Sequence, residues 1–268
     1  MTRLPPQRCA AGFIFALETE ADPFAARVCD ATILRGPVLS FHEGTIAGQR
    51  VAWVVSGAGI AAAGRAATTL LEGHAPALLV SAGFAGGLDP ALARGALVLA
   101  TGAVREGAPR FQLARFASLL PTASTDVDIV TVDSIVATAA AKRDLHAATG
   151  AAIVDMETHA VAAAAAAAKI PCASVRIVSD GAGDELPADI ARLVTPQSAF
   201  RRAGAALAAI GRKPAAAGTM WRLWENAVVD GRALAAALER LDNCFGLNFP
   251  DRAVSQFFQE NHRAFNRE

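Results

Sequence analysis

Short apolar runs of strand length alternate with helix-like segments along most of the chain, and the runs tend to end on small or acidic residues. The first run covers residues 11–17, and Glu18, Thr19 and Glu20 follow it directly. Asp22 and Pro23 then predict a helix start, because proline is tolerated in a first turn whose N–H needs no partner. Glu20 is thereby placed on a strand-to-helix turn. Residues 38–46 and 51–55, separated by Ala47, Gly48, Gln49 and Arg50, read as two strands joined by a turn, and Ser56, Gly57, Ala58 and Gly59 lead into a small-residue helix. The logic repeats at 77–80, a strand followed by the glycine-rich stretch 81–87, and another strand begins at 97–100. Residues 109–121 carry no clear period.

Strand character resumes at 128–132, and 137–148 reads as a helix with Lys142 and Arg143 on its exposed side. An apolar run then ends on Asp155, Met156 and Glu157, an alanine-rich helix follows, and residues 173–178 deliver Ser179 and Asp180. Strand and helix in alternation predict an α/β fold: a three-layer α/β/α sandwich with a central mixed, mostly parallel sheet. Beyond Asp180 the pattern turns helical, near 187–193, 197–210 and 218–241. We therefore expect an α/β domain over 1–210 and a helical C-terminal extension over 211–268, packed on the domain or on a partner subunit. Trp221, Leu223, Trp224, Val228, Leu234, Ala237, Leu238 and Leu241 approximate its apolar stripe.

In an open α/β sheet, ligands bind at the carboxyl ends of strands, so Glu20, Asp155, Glu157 and Asp180 are candidates for chemistry. Taken singly each has a structural alternative. Glu20 suits a helix first turn, Asp155 suits an N-cap with Glu157 in the turn after it, and Asp180 suits a cap of the next segment. Arg176, alternating within an apolar strand, is expected to pair with a carboxylate, and His159 is expected to be a satisfied helix residue.

Composition narrows the function classes. Lys plus Arg (25) equals Asp plus Glu (25), so no net field draws nucleic acid or anionic membrane. Although 53% of residues are hydrophobic, no stretch reaches the roughly 18 uncharged apolar residues of a membrane span. Met1 to Pro6 carry a charge and two prolines with no apolar region after them, so a cytoplasmic location is expected. The four cysteines, Cys9, Cys29, Cys172 and Cys244, lack metal-ligand spacing and read as reduced thiols. No metal and no organic cofactor is expected. Gly57 and Gly59 lack the third glycine of a dinucleotide fingerprint.

Five segments in order, 16–20, 56–59, 81–88, 154–157 and 178–180, resemble the nucleoside phosphorylase superfamily, closest to methylthioadenosine/S-adenosylhomocysteine nucleosidases. The resemblance spans about residues 11–195 and implies cleavage of the bond between a purine and its ribose, releasing adenine from a 5′-modified nucleoside. It implies Asp180 as proton donor to the purine and Glu20 as the group that orients and deprotonates water. It also implies Glu157 with Met156 at the ribose, Ile135, Val136, Ser179, Phe84, Ala85 and Gly86 at the base, and Gly57 with Gly59 near the nucleophile. The implied partner is a small purine nucleoside, and the implied assembly a homo-oligomer, most simply a dimer. Three positions depart from the family pattern: Phe84 replaces a hydroxyl residue, Ile135 replaces a base-stacking aromatic, and Asp155 replaces a glutamate. Residues 136–143, 179–187 and the helical extension are similar to hopanoid-associated phosphorylases. A phosphate-dependent or lipid-nucleoside enzyme is therefore the alternative, and a nucleoside-binding protein without turnover is a third.

Overall fold

The computed structural model describes residues 8–115, 124–186 and 214–240, and within these the side chains of 124, 125 and 214–224 are outside the description. The elements run β1 (Ala11–Phe15), α1 (Glu18–Ala25), β2 (Cys29–Arg35), β3 (Ser40–Ile46), β4 (Gln49–Val55), α2 (Ile60–His74), β5 (Leu78–Gly87), β6 (Leu97–Val104) and β7 (Phe111–Gln112). They continue with β8 (Ser124–Thr131), α3 (Ala139–Thr149), β9 (Ile153–Asp155), α4 (Thr158–Ala168), β10 (Cys172–Asp180) and α5 (Pro214–Arg240). The expected helices at 187–193 and 197–210, the tail beyond 240, Cys244 and the side chains of Trp221, Leu223 and Trp224 lie outside the described residues.

All strands belong to one mixed sheet in the order β10-β6-β8-β9-β5-β1-β4-β3-β2, with β7 on β6. Its centre is parallel, β4-β1-β5-β10, while the β2-β3-β4 meander and the β5-β9, β6-β7 and β6-β10 ladders are antiparallel. The β6-β8 and β8-β9 ladders are parallel as well, so the sheet is mixed and mostly parallel, as the alternation of strands and helices predicts. The sheet also closes on itself, because β5 is long enough to pair with β1 at Leu78 to Ser81, with β9 at Gly86 and Gly87, and with β10 along most of its length.

β1 is buried along its whole length, which is why it reads as a continuous apolar run. Its alternation serves both faces. Phe13 and Phe15 point into a cluster with Phe24 of α1, Trp53 of β4 and Leu234, Ala235 and Leu238 of α5. Ile14 points the other way, to the alanines of α2 and α4. Those helices, rich in Ala and Gly, have little side chain to keep them apart and cover one face, while α1 and α5 cover the other.

Two expectations are corrected, and one strand was not foreseen. α1 begins at Glu18 rather than near Asp22, and Pro23 lies inside it. The exposed strand β2 has no burial period that a sequence reading could detect. Lys142, expected on the exposed side of α3, is fully buried, since the chain after β10 folds over that side of the helix.

Candidate active site

A cavity of about 260 Å³ opens where the carboxyl ends of several strands meet α5. Leu17, Thr19 and Glu20 come from the β1–α1 turn, Phe84, Ala85 and Gly86 from the end of β5, and Asp155, Met156 and Glu157 from the β9–α4 turn. Ser179 and Asp180 come from β10, Ser134, Ile135 and Val136 from the loop after β8, and Asn226, Ala227 and Asp230 from α5. The structure thus gathers Glu20, Glu157 and Asp180 around one space, together with Met156, Ile135, Val136, Ser179, Phe84, Ala85 and Gly86. Gly57 and Gly59 do not line it, but Ala58 between them does.

Glu20 is buried at 3% exposure and held at both oxygens. Oε2 accepts from the N–H groups of Ala16 (3.0 Å) and Leu17 (2.9 Å), and Oε1 accepts from Phe84 N–H at 2.8 Å. Burial pushes its carboxyl above the usual range, against the opposing pull of the Arg176 guanidinium and these three N–H donors. Gly83 makes the arrangement possible: a Cβ there would lie 2.6 Å from Glu20 Oε1 and 2.7 Å from Arg176 Nη1.

Glu157 sits at the start of α4, where Oε1 accepts from Gly59 N–H at 2.7 Å and Oε2 from Met156 N–H at 3.3 Å. Gly59 therefore serves the site through its amide. Burial, then the charge of Asp155, raise the Glu157 pKa to about 7, with Arg176 and Gly59 pulling it back. Asp155 is partly the cap that its position implied, accepting from Thr158 N–H at 2.9 Å. It is also the partner of Arg176 at 2.6 Å, inside a buried network with Thr131, Thr158 and Ser81. His159 is a satisfied core residue, its Nε2 2.9 Å from the carbonyl of Pro109 and its ring against Phe111.

Asp180 Oδ2 accepts from Lys142 Nζ at 2.6 Å, and Oδ1 from Ser179 Oγ at 2.6 Å. Asp230 accepts from Arg94 at 2.6 Å. Of the five carboxylates on the cavity wall, Asp155, Asp180 and Asp230 each have a cation behind them, whereas Glu20 and Glu157 rest on backbone N–H groups. Among the described residues no lysine or arginine lines the cavity itself. Sequence reasoning missed Lys142, Asn226 and Asp230. Their sequence surroundings are ordinary amphipathic helix, so only an unexplained polar position on a helical face could have marked them.

The sequence profile of the Phosphorylase superfamily matches residues 10–126 and 125–213. A 5′-methylthioadenosine/S-adenosylhomocysteine nucleosidase of Shewanella baltica is 37% identical over 90 residues, which is 34% of this chain and 38% of that protein. Its counterpart from Tolumonas auensis is 35% identical over 88 residues, covering 33% and 38%. The matched stretch is thus well under half the length of these curated relatives. Among solved structures, a nucleosidase of this type from Colwellia psychrerythraea, in complex with adenine, superposes with TM-score 0.61 at 26% identity, covering 69% of this chain and 87% of that one. An S-adenosylhomocysteine nucleosidase from Streptococcus pyogenes, in complex with 5-methylthiotubericidin, shares the fold with TM-score 0.69 at 21% identity, covering 91% and 98%. With the profile matched over most of its length and the strand-end acids set around one cavity, this chain belongs to the phosphorylase superfamily.

Proposed function

We propose that the protein hydrolyses the N-glycosidic bond of a 5′-modified purine nucleoside of the methylthioadenosine or S-adenosylhomocysteine type, releasing adenine. The observation that carries this reading is the convergence of Glu20, Glu157 and Asp180, from the ends of β1, β9 and β10, on one cavity. Bond cleavage at C1′ needs three services: a proton for the leaving purine, stabilisation of a cationic sugar, and a deprotonated water. In this reading Asp180 gives its proton to N7 as the C1′–N9 pair moves into the purine. Glu157, beside Met156, binds the ribose hydroxyls and faces the developing positive charge. Glu20 takes a proton from the water that adds to C1′, a task that its burial favours by strengthening it as a base. The base lies among Phe84, Ile135, Val136, Ala85, Gly86 and Ser179. Phe84 is the one aromatic side chain of the cavity wall among the described residues, so the ring surface absent at Ile135 is available from β5.

Water is favoured over phosphate by the same wall. Among the described residues of the wall, a phosphate dianion would meet five carboxylates and no cation, and Phe84 offers no hydroxyl to hold it. The nucleosidase activity of the relatives points the same way. We further read the enzyme as cytoplasmic, with its free Cys9, Cys29 and Cys172, and as a homo-oligomer, most simply a dimer, for which the exposed Ile33, Leu34 and Val38 in and after β2 offer apolar contacts. Among the described residues no helix is long and apolar enough to cross a membrane.

The test is adenine release from methylthioadenosine, S-adenosylhomocysteine and adenosine, each with and without phosphate. The reading expects release without phosphate, and expects Asp180→Asn to lose about two to four orders of magnitude in kcat while still binding nucleoside. A purified protein that binds these nucleosides and turns none over is a binding protein instead. Release that requires phosphate makes it a phosphorylase.

A further inference from the structure

Lys142 is the one buried residue of α3 among its eleven, so its burial is not a consequence of the helix lying in the core. Its side chain is 0% exposed, and all three ammonium protons are placed. They go to Asp180 Oδ2 at 2.6 Å, Gly181 O at 2.7 Å and Asp184 O at 3.0 Å. An ammonium taken out of water costs several kcal/mol unless its protons are met, and here they are met by one loop and by the acid that opens it. The loop is fixed in turn by Asp184 Oδ2 accepting from Gly181 N–H at 2.7 Å and by Leu186 N–H donating to Ala137 O at 2.8 Å. Ala137 follows Ile135 and Val136 directly. Lys142 therefore stands where the proton donor and the base-holding segment are tied together.

We propose that Lys142 is a positioning residue for the proton-donating acid, reserving Asp180 Oδ2 as an acceptor so that the transferable proton resides on Oδ1, with the Ser179 hydroxyl, 2.6 Å from Oδ1, then turning its hydrogen to its other acceptor, Ala85 O at 3.3 Å. This rests on the reading of Asp180 as the acid. As the C1′–N9 bond breaks, its electron pair enters the purine and N7 takes the Oδ1 proton. The water proton goes to Glu20. Asp180 is left as a carboxylate, and the ammonium already in place at Oδ2 compensates the charge that appears there. A preorganised cation aimed at a charge that develops during the reaction speeds the step without stabilising the ground state equally. Two backbone carbonyls would suffice for a clamp on the loop, and the third proton is the one with a consequence for chemistry.

The experiment compares two leaving groups in the wild type, Lys142→Met, Lys142→Arg and Glu20→Gln. Methylthioadenosine needs its base protonated, whereas 4-nitrophenyl β-D-ribofuranoside releases nitrophenolate without a proton. Lys142→Met is expected to lower kcat for adenine release by ~10²–10³, with KM and riboside turnover each within about threefold. Lys142→Arg should restore part of the loss, and Glu20→Gln should slow both substrates. Equal slowing of both by Lys142→Met, or no slowing of adenine release, overturns the proposal. If Lys142→Met does not fold, Lys142→Gln, which also removes the charge, carries the same comparison. If the wild type leaves the riboside intact, a double-variant cycle with Asp180→Asn decides: a lysine acting through the acid adds less than about threefold on that background, and an additive loss overturns it. A wild type that releases no adenine fails the reading of the site itself, whereas normal wild-type release with an indifferent Lys142 fails only this inference.

Discussion

Glu157 rests on two backbone N–H groups, with the charge of Asp155 against it and that of Arg176 in its favour, and its pKa rises from an ordinary 4.5 to about 7. A group whose folded pKa lies above its unfolded value contributes stability that is complete below the unfolded value and is lost as pH rises through the folded one. The window here is from about 4.5 to about 7. Urea unfolding of wild type and Glu157→Gln should therefore show the variant gaining relative stability between pH 4.5 and 7 and holding that gain above it. A constant difference across the range contradicts the raised pKa. In the proposed role of Glu157 at the ribose, only the ionised carboxylate would accept from two hydroxyls, so kcat/KM for adenine release should climb through about pH 7. Arg176 gives a second residue-scale prediction. It is 1% exposed and paired with Asp155 at 2.6 Å, so Arg176→Met strands a buried carboxylate and should cost about 3–5 kcal/mol in denaturant unfolding. A loss below about 1 kcal/mol would mean that Asp155 finds another partner or a proton. That Arg176 would pair with a carboxylate was readable from its place in an apolar strand, whereas the burial of Lys142 was not, because its helix is otherwise solvent-facing.

At the scale of elements, the contact between α1 and α5 shapes the cavity. Pro23 has no N–H to give, so the carbonyl of Thr19, four residues back, lacks its intrahelical donor. Gly231 of α5 faces that carbonyl, and a Cβ there would lie 2.7 Å from Thr19 O and 3.1 Å from Pro23 Cγ. Arg27 paired with Glu239, and Arg94 with Asp230, fix the same helix at two further points. Gly231→Ala should push α5 outward, destabilising the fold by about 1–3 kcal/mol. Because Asn226 and Asp230 on that helix wall the cavity, KM for the 5′-modified nucleoside should rise about three- to tenfold with a smaller change in kcat. Thermal unfolding and steady-state kinetics on one preparation measure both, and unchanged values for both would mean that α5 moves freely at no cost. The early start of α1 was hidden in the sequence by Pro23, which is commoner in a first turn than in the helix interior where it lies here. β2 was hidden because an exposed edge strand leaves no apolar period, and its pairing with β3 defines it.

At the scale of the molecule, a chain with no net charge concentrates five carboxylates on one cavity wall and keeps Arg176, Lys142 and Arg94 behind it. Two unit charges 4 Å apart repel by about 4 kcal/mol at the effective dielectric of a protein surface. Phosphate at tens of millimolar should therefore leave the rate of adenine release unchanged, and adenosine 5′-monophosphate should be a poor substrate beside methylthioadenosine. Rate enhancement by phosphate, or efficient cleavage of the nucleotide, would show that a cation reaches the cavity from elsewhere.

The sequence by itself determined the alternation of strands and helices and the strand-end placement of Glu20, Glu157 and Asp180. Both are local properties: strand and helix periods are written in neighbouring residues, and an acid directly after an apolar run stays at that strand's end whatever the strand pairs with. Tertiary structure decided the closure of the sheet through β5, the burial of Lys142 against Asp180, the backbone donors that hold Glu20 and Glu157, and the wall supplied by α5. Each joins residues far apart in the chain, and burial and charge acquire their energetic weight only when such residues exclude water together.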